Sequence, residues 1–198
     1  MSFYRFATIV VHIALLPFYR FQVIGKENIP KDGPVIICSN HISNLDPPVV
    51  GITCPRDIYF MAKEELFRNK LLGAILLKSH AFPIKRGMKD RDALRRGLDI
   101  LKEGNTLGLF PEGTRSKTGE IGKGLSGVGF FALRSEATII PCAIIGPYRK
   151  GKRLKVVYGK AIAMDELRKR KAKASEVTDV IMDNIKQLKQ KYTQENLV

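Results

Sequence analysis

A single α/β domain with a mixed central sheet covered by helices on both faces is the fold class this sequence predicts, on three observations. From Phe21 onward, short apolar runs that read as strands alternate with longer stretches of helical periodicity. The 198 residues suffice for one substantial core, and no low-complexity linker or internal repeat divides them. Hydrophobic residues make up 44% of the chain and are spread along it, which argues against disorder outside the last few residues. The expected organisation is a helical segment over 1–20 followed by one folded unit over 21–198.

The amino terminus, MSFYRFATIVVHIALLPFYRF, carries an apolar run from Phe6 to Phe18 interrupted by His12 and Pro17. A bilayer-spanning helix needs about 20 apolar residues, so the run is too short to cross. No small-residue cleavage site follows it, which argues against a signal peptide. The flanks, Phe3-Tyr4-Arg5 and Phe18-Tyr19-Arg20, suit a helix lying in the membrane interface, although an ordinary core helix fits this segment equally well by itself.

Strands are expected at FQVIG (21–25), VIICS (35–39), DIYFMA (57–62), HAFPI (80–84), TLGLF (106–110), TIIPCAIIG (138–146) and LKVVYG (154–159). Helices are expected at KEELFRNKLLGAILLK (63–78), KDRDALRRGLDILKEG (89–104) and KGLSGVGFFALRSE (123–136). In the second of these, Leu94, Leu98 and Leu101 share a face, and Gly104 is placed to end the helix. The tail repeats Val177, Ile181, Ile185, Leu188 and Tyr192 at helical spacing, after a basic run from Lys169 to Lys173. That run is a solvated face or a contact for anionic lipid.

Lys and Arg number 34 against 19 acidic residues, a net charge of +15 that implies an anionic partner. Nucleic acid is not the expected one, because the chain has no Trp and none of the usual nucleic-acid-binding signatures. Cys38, Cys54 and Cys142 are odd in number and widely spaced, with no CxxC pair and no histidine cluster. They predict a reducing compartment and small buried hydrophobes, neither a disulfide scaffold nor a metal site.

Chemistry concentrates in three stretches. In IICSNHISNLDPP, His41 and Asp46 stand five residues apart. A helix would leave their side chains about 140° apart, and a strand would send them to opposite faces. A turn brings them together, and SNLDPP has turn chemistry. His41 then sits at the carboxyl end of the 35–39 strand, where open α/β sheets place their sites. Asp46 also reads as a helix N-cap with proline at the first helical position, and His41 by itself as a satisfied loop histidine. In LGLFPEGTRSKTG, a strand runs into Glu112, Gly113, Thr114 and Arg115, a polar turn whose arginine suits a phosphate, or merely pairs with the glutamate. In AFPIKRG, Lys85 and Arg86 end another strand as a phosphate seat or as exposed cations on a turn.

Taken together, Asn40-His41 with Asp46, FPIKRG, FPEGTRS and IIPCAI resemble, in order and spacing, the four blocks of the glycerolipid acyltransferases, most closely the bacterial 1-acyl-glycerol-3-phosphate acyltransferases. The resemblance runs from about Phe21 to Gly159. Cys142 stands where a valine is commoner, and KGLSGVGF is richer in glycine than usual. The resemblance implies transfer of an acyl group from coenzyme A or acyl carrier protein to the sn-2 hydroxyl of a lysophospholipid, lysophosphatidic acid foremost. It makes His41 the general base, Asp46 its orienter, and Lys85, Arg86, Glu112, Gly113, Thr114 and Arg115 the residues associated with the phosphate-bearing acceptor. It implies no cofactor beyond the thioester and no metal, and it places the protein peripherally or monotopically on the cytoplasmic face of the membrane, against an anionic surface. The chemistry is coherent independently of the family: a thioester is already activated, an alcohol is a poor nucleophile, and a base of pKa near 7 supplies what is missing. Cys38, Ser39 and Ser43 lie near enough to raise a covalent route, which this chemistry does not require. A non-catalytic lipid-binding protein on the same scaffold is the competing expectation, and it leaves the His41–Asp46 pair without a purpose.

Overall fold

The segment VIICS shows no alternation of polar and apolar residues, as expected of a strand covered on both faces. In the computed structural model, which describes residues 2–85 and 90–194, it is a central strand and all of its residues are buried. The elements run α1 (Phe3–Leu15), β1 (Arg20–Ile24), β2 (Val35–Ser39), α2 (Asp46–Thr53), β3 (Ile58–Lys63), α3 (Lys70–Lys78), β4 (Ala81–Ile84), α4 (Arg91–Lys102), β5 (Thr106–Leu109), α5 (Gly127–Arg134), β6 (Thr138–Ile145), β7 (Arg153–Tyr158), α6 (Asp165–Lys169) and α7 (Ala174–Gln194). The strands form one mixed sheet in the order β1-β7-β6-β2-β5-β3-β4. From β6 to β4 all neighbours are parallel, β7 turns back antiparallel to β6, and β1 joins it in parallel.

The steps from β2 to β3 and from β3 to β4 move the same way across the sheet. Right-handed crossovers therefore put α2 and α3 on one face, while the return through α4 and α5 covers the other. The buried clusters divide accordingly. Ile36 and Cys38 join residues of α4, α5 and α7, whereas Val35 and Ile37 join Val49 and Val50 of α2. The tail stripe behaves as its spacing predicts: Val177, Ile181 and Ile185 are buried, and Leu188 and Tyr192 pack against the sheet margin. The unusual glycines of KGLSGVGF are explained by α7. A Cβ at Gly129 would fall 1.9 Å from the Ala174 carbonyl oxygen, and one at Gly124 would fall 2.5 Å from Thr178.

Several expected elements differ. The helix expected over 63–78 is two pieces, a 3-10 turn over Glu64–Phe67 and then α3, because Asn69 starts a new helix by accepting the Leu72 N–H at 3.0 Å. The helix expected over 123–136 begins only at Gly127. On α4 the buried stripe is Ala93, Gly97, Ile100 and Leu101, with Leu94 and Leu98 at its border. The basic run separates α6 from α7, with Lys171 in the left-handed region at φ 52°. Asp46 is the first residue of α2, not its cap. Leu45 holds the cap position without a side-chain bond, and the Asp46 carboxylate turns back toward the preceding loop.

Candidate active site

Because β2, β5, β3 and β4 are parallel, their carboxyl ends share one edge of the sheet. The His41 loop leaves this edge from β2, the Glu112 turn from β5 and Lys85 from β4. The loop is fixed first by Asn40, whose side-chain amide pairs with the backbone of Ile144 in β6. The amide nitrogen donates to the carbonyl at 3.0 Å, and the amide oxygen accepts the N–H at 2.8 Å. The side chain thus extends the β2–β6 ladder past its last backbone pair, Ser39 with Cys142.

His41 is then held by four contacts. Its backbone N–H donates to Glu112 Oε1 at 3.0 Å, and its carbonyl accepts the Ser116 N–H at 2.8 Å. Its ring stacks on Phe110 with centroids 4.3 Å apart, and Nδ1 lies 2.7 Å from Asp46 Oδ2. Oδ2 also accepts the N–H groups of Ile42 at 2.6 Å and Ser43 at 2.7 Å, while the Tyr148 hydroxyl donates to Oδ1 at 2.6 Å. A tight turn through Ser43, whose Oγ accepts the Leu45 N–H and whose carbonyl accepts the Asp46 N–H, closes the loop so that residues five apart meet.

The donors decide the tautomer. Backbone N–H groups can only donate, so Asp46 is an acceptor throughout and Nδ1–H points at it. In the neutral ring the Nε2 lone pair is then the one left over. Nε2 has no protein partner among the described residues and is not one of the sealed polar atoms, although the His41 side chain is only 9% exposed. Burial, and next the Asp46 charge, push the Tyr148 phenol well above its ordinary value, so it remains protonated and stays a donor.

Glu112 is committed to backbone: Oε1 takes His41 N–H and Oε2 takes Gly122 N–H at 3.0 Å. The Glu–Arg pair that the sequence allowed does not form, and Arg115 has no ion-pair partner among the described residues. Gly113 makes the turn in the left-handed region at φ 66°, its N–H donating to Phe110. Thr114 and Arg115 are exposed and, with Ser116, Gly122 and Lys123, line a groove of about 330 Å³ beside the His41 loop. Lys85 is exposed on the same edge, its Nζ 3.8 Å from Glu64, about 14 Å across three strand spacings from the His41 loop. Arg86 lies outside the described residues. No cluster of three His, Cys, Asp or Glu side chains suited to a metal occurs among the described residues.

None of the candidate nucleophiles faces this groove as a free group. Cys38 is fully buried, and burial raises its thiol well above the ordinary range. Ser39 is buried and donates to the Asn40 carbonyl, and Ser43 serves the turn. Tyr148 was not legible as a site residue, since it stands in a loop 102 positions after Asp46. Asn40 was visible only as part of a motif, without its role. A short amide just past a buried strand is the signal that could have indicated a ladder extension.

A family model described as Acyltransferase matches residues 20–145, more than half the chain. The 1-acyl-sn-glycerol-3-phosphate acyltransferase of Bacillus subtilis is 31% identical over 200 residues, covering 96% of this chain and 99% of that relative. A chloroplastic 1-acyl-sn-glycerol-3-phosphate acyltransferase of Arabidopsis thaliana is 32% identical over 73% of this chain, a match that covers 42% of the plant protein. The crystal structure of the 1-acyl-sn-glycerophosphate (LPA) acyltransferase PlsC from Thermotoga maritima superposes with a TM-score of 0.73 at 26% identity, over 93% of this chain and 79% of that one.

Proposed function

The chain belongs to the acyltransferase family, and from that premise we propose that it moves a fatty acyl group from an acyl thioester to the sn-2 hydroxyl of 1-acyl-glycerol-3-phosphate, giving phosphatidic acid. The observation that carries the mechanism is the 2.7 Å contact between His41 Nδ1 and Asp46 Oδ2, with Nε2 left free. Nε2 takes the proton of the acceptor hydroxyl as its oxygen attacks the thioester carbonyl. The tetrahedral adduct collapses, the carbon–sulfur bond breaks, and the imidazolium returns the proton to the departing thiolate. Asp46 stabilises the imidazolium through Nδ1–H, and no acyl-enzyme forms. The donor is acyl-coenzyme A or acyl-acyl carrier protein, with no further cofactor.

The acceptor's phosphate is assigned to Arg115, Lys85 and Arg86, with Thr114 as an added hydroxyl donor. Glu112 and Gly113 act differently in this reading: the carboxylate braces the His41 backbone and the glycine makes the turn that presents Arg115. The membrane-interface role belongs to α1, whose apolar side chains Phe6, Ile9, Val10 and Ile13 are exposed together with Leu16, the residue that caps it. No helix among the described residues is long and apolar enough to cross a membrane. We place the protein peripherally on the cytoplasmic leaflet, where anionic lipid complements the net charge of +15.

Thiol release from acyl-coenzyme A in the presence of lysophosphatidic acid tests the reading. His41→Ala is expected to lower turnover by at least about 10²-fold with unchanged circular dichroism. Retained turnover in that variant rejects the base assignment. Offering a mixture of lysophospholipids and identifying the product by mass spectrometry reads out the acceptor.

A further inference from the structure

Helix α3 carries an apolar surface that nothing among the described residues covers. Its sequence, KLLGAILLK, is apolar between two lysines, and Gly73 is its one buried residue. Leu71 is 74% exposed, and Leu72, Ile75, Leu77 and the preceding Leu66 are exposed with it. A helix apolar on nearly every side is ordinarily covered by something.

This surface continues the one on α1. Both helices lie on the same face of the sheet as α2, since α1 packs on α2 and the crossovers place α3 beside it. The start of α1 meets the end of α3: Lys78 Nζ sits 5.6 Å from the Phe3 ring centroid, and Tyr4 stacks on His80, just past α3. Cations border the surface, with Arg68 and Lys70 at one end of α3 and Lys78 at the other. Among the described residues none of these three forms an ion pair. The start of α3 follows β3 at the sheet edge that carries His41, so whatever holds α3 also holds that edge.

We propose that α3 is a second membrane-docking helix, which lies in the plane of an anionic bilayer and forms with α1 one lipid-facing platform beside the active-site edge. The proposal rests on the membrane-surface reading of α1 and extends it to an element inside the catalytic domain. At nine residues α3 is far too short to span the bilayer, so it lies along the interface. Charge selects lipid over a second copy of the chain. Two copies meeting across this face would oppose like-charged rims on molecules of +15 each, whereas anionic head groups neutralise the same rims. The consequence is orientation: anchored at two helices, the protein cannot roll about α1, and the His41 edge is kept against the surface where a lysophospholipid presents its head group.

The chain contains no Trp, so a single introduced Trp reports its own surroundings. Leu71→Trp and Phe6→Trp, in the full chain, are titrated with phosphatidylglycerol–phosphatidylethanolamine vesicles whose acyl chains are plain or brominated. Both are expected to shift to the blue on plain vesicles and to lose intensity on brominated ones. Quenching of Phe6→Trp with a silent Leu71→Trp overturns the proposal and leaves the α1 reading intact. Silence of both overturns the α1 reading and this proposal with it. A concentration-dependent blue shift of Leu71→Trp without vesicles assigns the surface to a second copy and likewise overturns it. In a second arm, Leu71→Glu combined with Ile75→Glu is expected to lower turnover of vesicle-embedded lysophosphatidic acid at least about tenfold. Turnover of a short-chain, water-soluble acceptor should stay unchanged, and equal loss on both acceptors counts against membrane docking.

Discussion

At the scale of single residues, the candidate site is an acceptor saturated by donors. Asp46 receives His41, Ile42, Ser43 and Tyr148, and only the last of these can be deleted without disturbing the His41 loop. Tyr148→Phe removes one hydrogen bond from Oδ1 and keeps the ring, which is T-stacked against Tyr19 at 5.6 Å. In the proposed mechanism this variant lowers kcat about tenfold, because a bond to a charged group contributes roughly 1.5–3 kcal/mol. KM should hold, and the acid limb of the pH–rate profile should move, a shift that a purely structural role would not produce. Asp46→Asn is the harsher change. It presents either an N–H or a neutral oxygen to donors that need an anion, and kcat should fall by about 10³-fold or more in a thiol-release assay. Cys38→Ala and Ser43→Ala bear on the covalent alternative, and both are expected to retain turnover, with Ser43→Ala losing some stability through its turn.

At the scale of elements, close approach and burial set the tolerances. Gly129 lets α5 lie against the start of α7, where a methyl group would meet the Ala174 carbonyl. Gly129→Ala is therefore expected to cost about 3 kcal/mol or more in urea unfolding, at the upper end of overpacking effects. The junction of α1 with the domain is expected to respond to pH. His80 is sandwiched between Tyr4 and Tyr59, at 4.7 and 4.4 Å, with Nδ1 buried and without a hydrogen-bond partner among the described residues. Burial lowers its pKa, opposed by the Asp57 carboxylate. A histidine depressed in the folded state binds its proton more readily when unfolded. Its contribution is then intact above the ordinary value of about 6.5 and is lost as pH falls through the folded value. Thermal unfolding is expected to show a lower Tm at pH 5 than at pH 7.5, and a smaller drop in His80→Asn, a residue that tolerates the left-handed backbone found at φ 61°.

At the scale of the whole molecule, the +15 charge and the exposed apolar side chains of α1 and α3 are the features on which the proposed docking to lipid rests. The electrostatic part of that docking is screened by salt and the apolar part is not. Vesicle co-sedimentation should weaken as the ionic strength rises from 0.01 M to 1 M, while the Debye length falls from about 30 to about 3 Å, and should retain a salt-resistant remainder carried by α1 and α3. The strand–helix order, the tail stripe and the His41–Asp46 turn were legible in the sequence, because periodicity and turn chemistry are properties of neighbouring residues. The break at Asn69 escaped the pattern, since Arg68, Asn69 and Lys70 are polar residues that a continuous helix also accommodates on its solvent face. The cap assignment of Asp46 differed as well, because an aspartate before two prolines satisfies the N-cap signature, whereas Leu45 holds that position and Asp46 opens α2. The candidate residues of the site, His41, Asp46 and Arg115 at the ends of strands, were thus named by the sequence alone, each beside a purely structural alternative. Only the tertiary structure decided that Tyr148 reaches Asp46 across 102 residues, that Glu112 braces His41 across 71, and that Asn40 is tied to β6 across 104. The reason is physical: covalent geometry fixes spacing within a few residues, whereas contacts over such distances exist only once the order and register of the strands have been chosen by burial of the sheet.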